Sequence, residues 1–239
     1  MREEIVQRLL TLNREFYNGF ADSFSHSRTE PQPGFFRLLE LYPKLGGHLL
    51  DVGCGDGRFG RFSFDHNTIT RYTGIDLSSG LLDIAKSNVD GNFYERDMSR
   101  AGFLDGMGQF DSIACLAALQ HVPSRANRVR LLQEFGEHLA TNDNSRLLLS
   151  TWQFMNSPRQ QRKVQSWNII GLEDGDVEEK DYLLTWKRDG LGYRYVCFVD
   201  EEETAVLAEA ANLEIEAQFY SDGREKNLSL YTILKKRDS

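Results

Sequence analysis

Apolar side chains at Ile5, Leu9, Leu12, Phe16 and Phe20 fall three or four residues apart and predict an amphipathic helix over residues 5–24. The segment SRTEPQPG (27–34) ends that pattern, because its two prolines cannot continue a helix. From residue 48 short apolar runs alternate with helical stretches. HLLDVG, RYTGID, GNFYERD, FDSIACL and SRLLLSTW read as strands, with helical segments near 57–63, 78–88, 99–106 and 124–140 between them. The last of these carries Val129, Leu131, Leu132, Phe135 and Leu139 on its apolar side. Such alternation predicts an α/β fold, a doubly wound parallel sheet with helices on both faces. The tail, RYVCFVDEEETAVLAEAANLEIEAQFY, reads strand, helix, strand, with Asp200 and Glu203 spaced as a capping box. NLSLYTILKK then returns antiparallel after the short turn YSDGREK. One irregular segment, 153–192, interrupts the alternation. With no internal repeat, residues 1–239 read as a single domain: an N-terminal segment 1–46, a core 47–152, an insertion 153–192 and a C-terminal sheet edge 193–239.

Composition narrows the class without naming a function. A chain of 239 residues can bury one substantial core. Its opening, MREEIVQRLLTLNREF, is charged every few residues, unlike a signal peptide, and no later run approaches the ~18 apolar residues of a membrane helix. Cys54, Cys115 and Cys197 are far apart and match neither a disulfide framework nor a zinc spacing. A reducing cytoplasm, no membrane and no metal site are therefore expected. The net charge of −8 is concentrated in EDGDVEEKD (173–181) and DEEETAVLAEAANLEIE (200–216), and the rest of the chain is slightly basic. Charge thus neither proposes nor excludes an RNA partner.

The first strand runs into GHLLDVGCGDGRFGRF (47–62), which holds five glycines. From Gly55 the run matches the dinucleotide fingerprint G-x-G-x-x-G, but that motif needs its first glycine at the end of the strand. From Gly53, where the strand ends, the third glycine position holds Arg58. The better parse is D-x-G-x-G-x-G, Asp51, Gly53, Gly55 and Gly57. An acid at this strand tip repels a pyrophosphate and suits a ligand carrying an ammonium and a sulfonium, as S-adenosylmethionine does. Asp76, with Leu77 beside it, ends the next strand where both ribose hydroxyls of a nucleoside would lie. Asp97, with Met98, ends the third, where an adenine amino group would lie. Three acids at successive strand ends are the site expected at the rim of an open α/β sheet.

At these residues the chain resembles the class I S-adenosylmethionine-dependent methyltransferases, over about 47–152 and again over 193–235. The resemblance implies their Rossmann-like, doubly wound seven-stranded sheet, here with an N-terminal helical lid and an insertion after the fifth strand. FDSIACLAALQHV is similar to their fourth-strand motif, which implies that the methionine part of the cofactor passes Cys115 and Leu116.

The N-terminal segment YNGFADSFSHSRTEPQPGF (17–35) resembles the lid of the tRNA wobble-uridine carboxymethyl methyltransferases, which reads Y-N-x-x-A-x-x-F-S-x-[ST]-R-x-x-P-x-P. Tyr17, Asn18, Ala21, Phe24, Ser25, Ser27, Arg28, Pro31 and Pro33 all stand in register. The resemblance implies that Tyr17 and Arg28 face the cofactor, that tRNA is the partner and that a carboxymethyl group on uridine is esterified. Eukaryotic members of that family work with a small zinc-binding activator. This chain departs at QSW (165–167), where the RNA enzymes have Val-Pro-Trp.

Several chemistries remain open on the acceptor side. Arg28, beside two prolines, could pin a carboxylate through two parallel hydrogen bonds. A carboxylate of pKa ~4 is already ionised at neutral pH and needs no general base, whereas a hydroxyl or amine does. His121 is the candidate base, or else packs beside Pro123; Trp152, at the fifth strand tip, either floors the acceptor pocket or packs in the core. Arg125, Arg128, Arg130, Arg159, Arg162 and Lys163 would form an RNA-facing stripe if the insertion folds over the rim, or else Arg128 and Arg130 are solvated residues of a helix surface. The alternatives are a small-molecule O- or N-methyltransferase of the same fold and a non-catalytic module that only binds the cofactor. An NAD-dependent oxidoreductase is disfavoured by Asp51 and Arg58.

Overall fold

The computed structural model describes residues 1–20, 30–187 and 190–237. Helix α1 (Glu3–Gly19) buries Ile5, Leu9 and Phe16 as the spacing predicts and is capped at Phe20, short of the expected residue 24; residues 21–24 lie outside the described residues. Helix α2 (Pro33–Leu41) starts on the second proline, where the missing N–H costs nothing.

Five strands and three helices then alternate: β1 (His48–Val52), α3 (Arg58–Asp65), β2 (Arg71–Asp76), α4 (Ser79–Asn88), β3 (Asn92–Glu95), β4 (Ser112–Leu116), α5 (Arg125–His138) and β5 (Arg146–Trp152). After the insertion come β8 (Gly192–Cys197), α6 (Glu201–Ala210), β9 (Leu213–Ser221) and β10 (Ser229–Lys236). The main sheet has seven strands in the order β3-β2-β1-β4-β5-β10-β9. Strands β1 to β5 pair in parallel, and β10 is antiparallel to both its neighbours. Buried on both faces, β1 and β4 read as largely apolar runs, β1 being interrupted at Asp51. Period two then divides the side chains: Ile113 and Cys115 enter one core layer, Ala114 and Leu116 the other. Strand order reverses between β1 and β4, so a crevice opens above their carboxyl ends.

Two parts of the pattern come out differently. Residues 99–106, expected as a helix, form consecutive turns, because Gly102 and Gly106 sit at positive φ. The strand that begins the tail, β8, does not join the sheet edge. It pairs antiparallel with β7 (Asp181–Trp186), which pairs with β6 (Val164–Gln165), so the insertion and β8 make a separate three-stranded sheet. The edge of the main sheet is β10 and β9 alone.

This small sheet is fastened by buried charge. Arg128, 1% exposed, donates to Glu178 at 3.0 Å, to the Val122 carbonyl at 3.0 Å and to the Tyr195 hydroxyl at 3.2 Å. Asp200 caps α6 by accepting from the Glu203 amide at 2.9 Å. The reciprocal half of the expected capping box is absent, because the Glu203 carboxylate is taken by Arg125 at 2.9 and 2.5 Å. Arg130 donates to the Ser99 carbonyl. Arg128 is thus spent inside the fold, Arg130 is tied to Ser99, and Arg125, though exposed, is held by Glu203; of the rest of the expected basic stripe Arg159 and Arg162 are exposed and Lys163 is half-buried. Among the described residues no helix is long and apolar enough to cross a membrane, and no group of His, Cys, Asp or Glu side chains could hold a metal ion.

Candidate active site

A cavity of about 320 Å³ lies over the carboxyl ends of the parallel strands, lined also by α1, Trp152 and Arg194, a volume typical of small-ligand sites. Its floor is the turn after β1. Gly53 (φ +72°) and Gly55 (φ +56°) adopt the left-handed conformation that glycine tolerates. The Gly53 and Cys54 amides both donate to the Ile75 carbonyl, at 2.8 and 3.0 Å, which ties the turn to β2. A Cβ on Gly53 would lie 2.5 Å from that of Ala118, whereas one on Gly55 would project into open space.

The three strand-tip acids converge here, each in a different state of engagement. Asp51, 2% exposed, accepts from the Tyr72 hydroxyl at 2.9 Å. Gly60 makes room for that tyrosine, since a Cβ there would sit 2.4 Å from its ring. Burial pushes the Asp51 carboxyl up to about 7, with the Tyr72 hydrogen bond pulling it down and the Asp76 and Asp56 charges adding to the rise. Asp76 accepts from the Gly55 amide through one oxygen and from the Ser78 amide through the other, both at 2.9 Å. Burial raises its pKa too, against those two hydrogen bonds. Asp97 accepts from the Ser99 amide at 2.9 Å and its hydroxyl at 2.5 Å. It therefore closes a turn as well as lining the cavity.

Leu77, Met98 and Leu116 also line the cavity. Cys115 does not: strand parity turns it into the core, and burial pushes its thiol up to about 12. The residues after Leu116, Ala117 and Ala118, take the place expected of it. Tyr17 reaches the cavity from α1, its hydroxyl 2.8 Å from Nε2 of His121. Trp152 lines the cavity half-buried, so it serves as wall and as packing. Arg28 lies outside the described residues.

Three site-building residues escape the sequence pattern. Asn13, 6% exposed, pairs with the Tyr195 backbone like a strand partner, accepting its N–H at 2.8 Å and donating to its carbonyl at 3.1 Å. That bond docks α1 on β8. Asp222 accepts from the Gly34 amide at 2.9 Å and from the Tyr231 hydroxyl at 2.8 Å, which holds the start of α2 over the β9–β10 turn. Arg194 donates to the Tyr17 hydroxyl at 3.1 Å. Its signal was a basic residue at the inward position of the otherwise apolar YRYVCF.

A family model described as a methyltransferase domain matches residues 25–218. The chain is 26% identical to a protein of Encephalitozoon cuniculi that carries a methyltransferase name, over 92% of this chain and 93% of that one. It is 24% identical to the ubiquinone biosynthesis O-methyltransferase of Nitrosospira multiformis, over 82% of this chain and 79% of that one. A solved S-adenosylmethionine-dependent methyltransferase of Clostridium acetobutylicum superposes with a TM-score of 0.65 at 14% identity, covering 93% of this chain and 99% of the other. That likeness extends the agreement to the whole seven-stranded fold.

Proposed function

The chain belongs to the methyltransferase-domain family, and from that premise we propose that it transfers the methyl group of S-adenosylmethionine to an anionic oxygen acceptor, a carboxymethylated wobble uridine in tRNA. The observation that carries the cofactor is the convergence of Asp51, Asp76 and Asp97 on one cavity around the Gly53–Gly55 turn.

The residues present fit that cofactor. The Asp51 carboxylate faces where an ammonium would lie, Asp76 keeps a second lone pair on each oxygen for ribose hydroxyls, and the open space beside Gly55 admits a nucleoside against the backbone. Asp51, Asp56 and Asp76 together would repel a pyrophosphate, which argues against a dinucleotide. When bound, S-adenosylmethionine supplies a methyl group already activated on sulfur. What the chain must add is alignment and exclusion of water. Helix α1, docked by Asn13 and Tyr17, lines the cavity beside the strand tips and contributes to both. An ionised carboxylate needs no proton removed before it attacks, so no general base is required.

The tRNA acceptor rests on the Tyr17–Phe35 lid resemblance, and the small zinc-binding activator belongs to the same reading. A second reading, a small-molecule O-methyltransferase, is favoured by the similarity to the Nitrosospira enzyme and by His121. Its Nδ1 is 3.2 Å from the Tyr195 carbonyl, which leaves Nε2 as the basic nitrogen toward Tyr17 and the cavity. The test is transfer of labelled methyl from S-adenosylmethionine into cell extract split into RNA and small-molecule fractions. Alkali-labile label in tRNA is the expected result; label confined to small molecules would replace the first reading by the second.

A further inference from the structure

Arg194 is 6% exposed and sits among aromatic rings. Its guanidinium carbon lies 4.9 Å from the Trp152 centroid, 5.2 Å from that of Phe16 and 6.0 Å from that of Trp186. The other deeply buried arginine, Arg128, is neutralised by Glu178 and Glu203. Among the described residues no carboxylate pairs with Arg194; its one hydrogen bond runs from Nη1 to the neutral Tyr17 hydroxyl. Ring faces compensate part of a buried cation's lost hydration, but they leave its in-plane N–H donors unsatisfied. None of its nitrogens is both sealed from solvent and unpartnered, and Arg194 lines that cavity. The free donors therefore open onto it. Nearby positive charge adds to the field: burial first, then the Arg194 and Arg159 charges, hold Lys163 below the ordinary lysine range.

We infer that Arg194 anchors the methyl acceptor by an anionic group: its planar fork binds a carboxylate oriented against the Trp152 and Phe16 rings. The position favours the acceptor over the methionine carboxylate of the cofactor. The cofactor acids stand at the carboxyl ends of β1, β2 and β3, whereas Trp152 ends β5, two strands beyond β1 and so roughly 10 Å away. The inference rests on reading the cavity as a methyl-transfer site, and it adds a specificity residue independent of Arg28.

Sodium benzoate is a suitable probe, with neutral benzamide as its isostere, titrated by tryptophan fluorescence in the presence of S-adenosylhomocysteine. The parent protein is expected to bind benzoate saturably and benzamide at least about tenfold more weakly. Arg194→Met should lose that discrimination, and Arg194→Lys should keep part of it, while S-adenosylhomocysteine affinity stays within about threefold. Equal binding of benzoate and benzamide to the parent, which needs no variant to fold, would overturn the inference. So would undiminished benzoate binding by Arg194→Met, or a parallel loss of S-adenosylhomocysteine affinity, which would place the guanidinium on the cofactor. If the parent bound benzoate selectively but no S-adenosylhomocysteine, the anion site would stand and the methyl-transfer reading would fall.

Discussion

The Tyr17 hydroxyl lies 2.8 Å from Nε2 of His121, so the N-terminal helix is bonded directly to the turn after β4. The Tyr195 carbonyl can only accept, so the proton on His121 sits on Nδ1, 3.2 Å away. Nε2 then accepts from Tyr17, whose oxygen in turn accepts from Arg194 at 3.1 Å. Helix α1, the β4 turn and the small sheet meet at this one hydroxyl. Tyr17→Phe keeps the ring beside His121 and removes the relay. Methyl transfer is expected to fall about tenfold or more, with S-adenosylhomocysteine affinity within about threefold. Steady-state rates and calorimetry on the same preparation check both.

Asp51 makes cofactor binding and stability respond oppositely to pH. Its carboxyl, ordinarily 3.8, stands at about 7 in the folded chain because it is buried. Between those values the folded state holds a proton that the unfolded state has lost, so this group lowers stability as pH rises from about 4 to about 7. A cationic ligand prefers the ionised form, so S-adenosylmethionine affinity should weaken below pH 7, by at most about tenfold per unit. Asp51→Asn should melt higher than the parent at pH 8 in the absence of cofactor, yet bind it more weakly and without that pH slope. Melting curves and titrations at pH 6, 7 and 8 check the pair of effects.

The two cavity glycines should fail differently. Gly53→Ala combines a left-handed residue, costing about 1–2 kcal/mol, with a Cβ 2.5 Å from Ala118. Both stability and cofactor affinity are expected to drop. Gly55→Ala meets nothing in the protein, so its melting temperature should fall less while the methyl group takes space meant for ligand. Comparing melting temperature with cofactor affinity for the two variants separates the roles.

Much of the sheet was legible because parallel strands, apolar on both faces, announce themselves in HLLDV and SIACL. The acids at their ends were legible for the same reason, since a strand that stops fixes the rim. Strand partners were not. YRYVCF reads as a strand wherever it pairs, and nothing local says that β8 joins β7 instead of the main sheet. Cys115 was misplaced by parity: one position along β4 exchanges core for cavity. Arg128 looked like a helix-surface residue, and only its long-range acids, Glu178 and Glu203, reveal a buried clamp.

That clamp has a measurable weight. Arg128→Met removes a buried cation and leaves Glu203, 2% exposed, with Arg125 alone. Breaking a buried pair from one side costs about 3–5 kcal/mol. Urea unfolding should show a loss of that order. The double variant Arg128→Met, Glu203→Gln should recover part of it, because Glu203 is then no longer a buried charge held by Arg125 alone.

The central claim, a cofactor site built from strand-tip acids, is tested most directly by calorimetric titration of S-adenosylhomocysteine into the parent protein and into Asp76→Ala. The parent is expected to bind and the variant to bind at least about tenfold more weakly, since it loses both the ribose acceptor and the carboxylate that holds the Gly55 amide at 2.9 Å. Equal affinity for the two proteins would contradict the account.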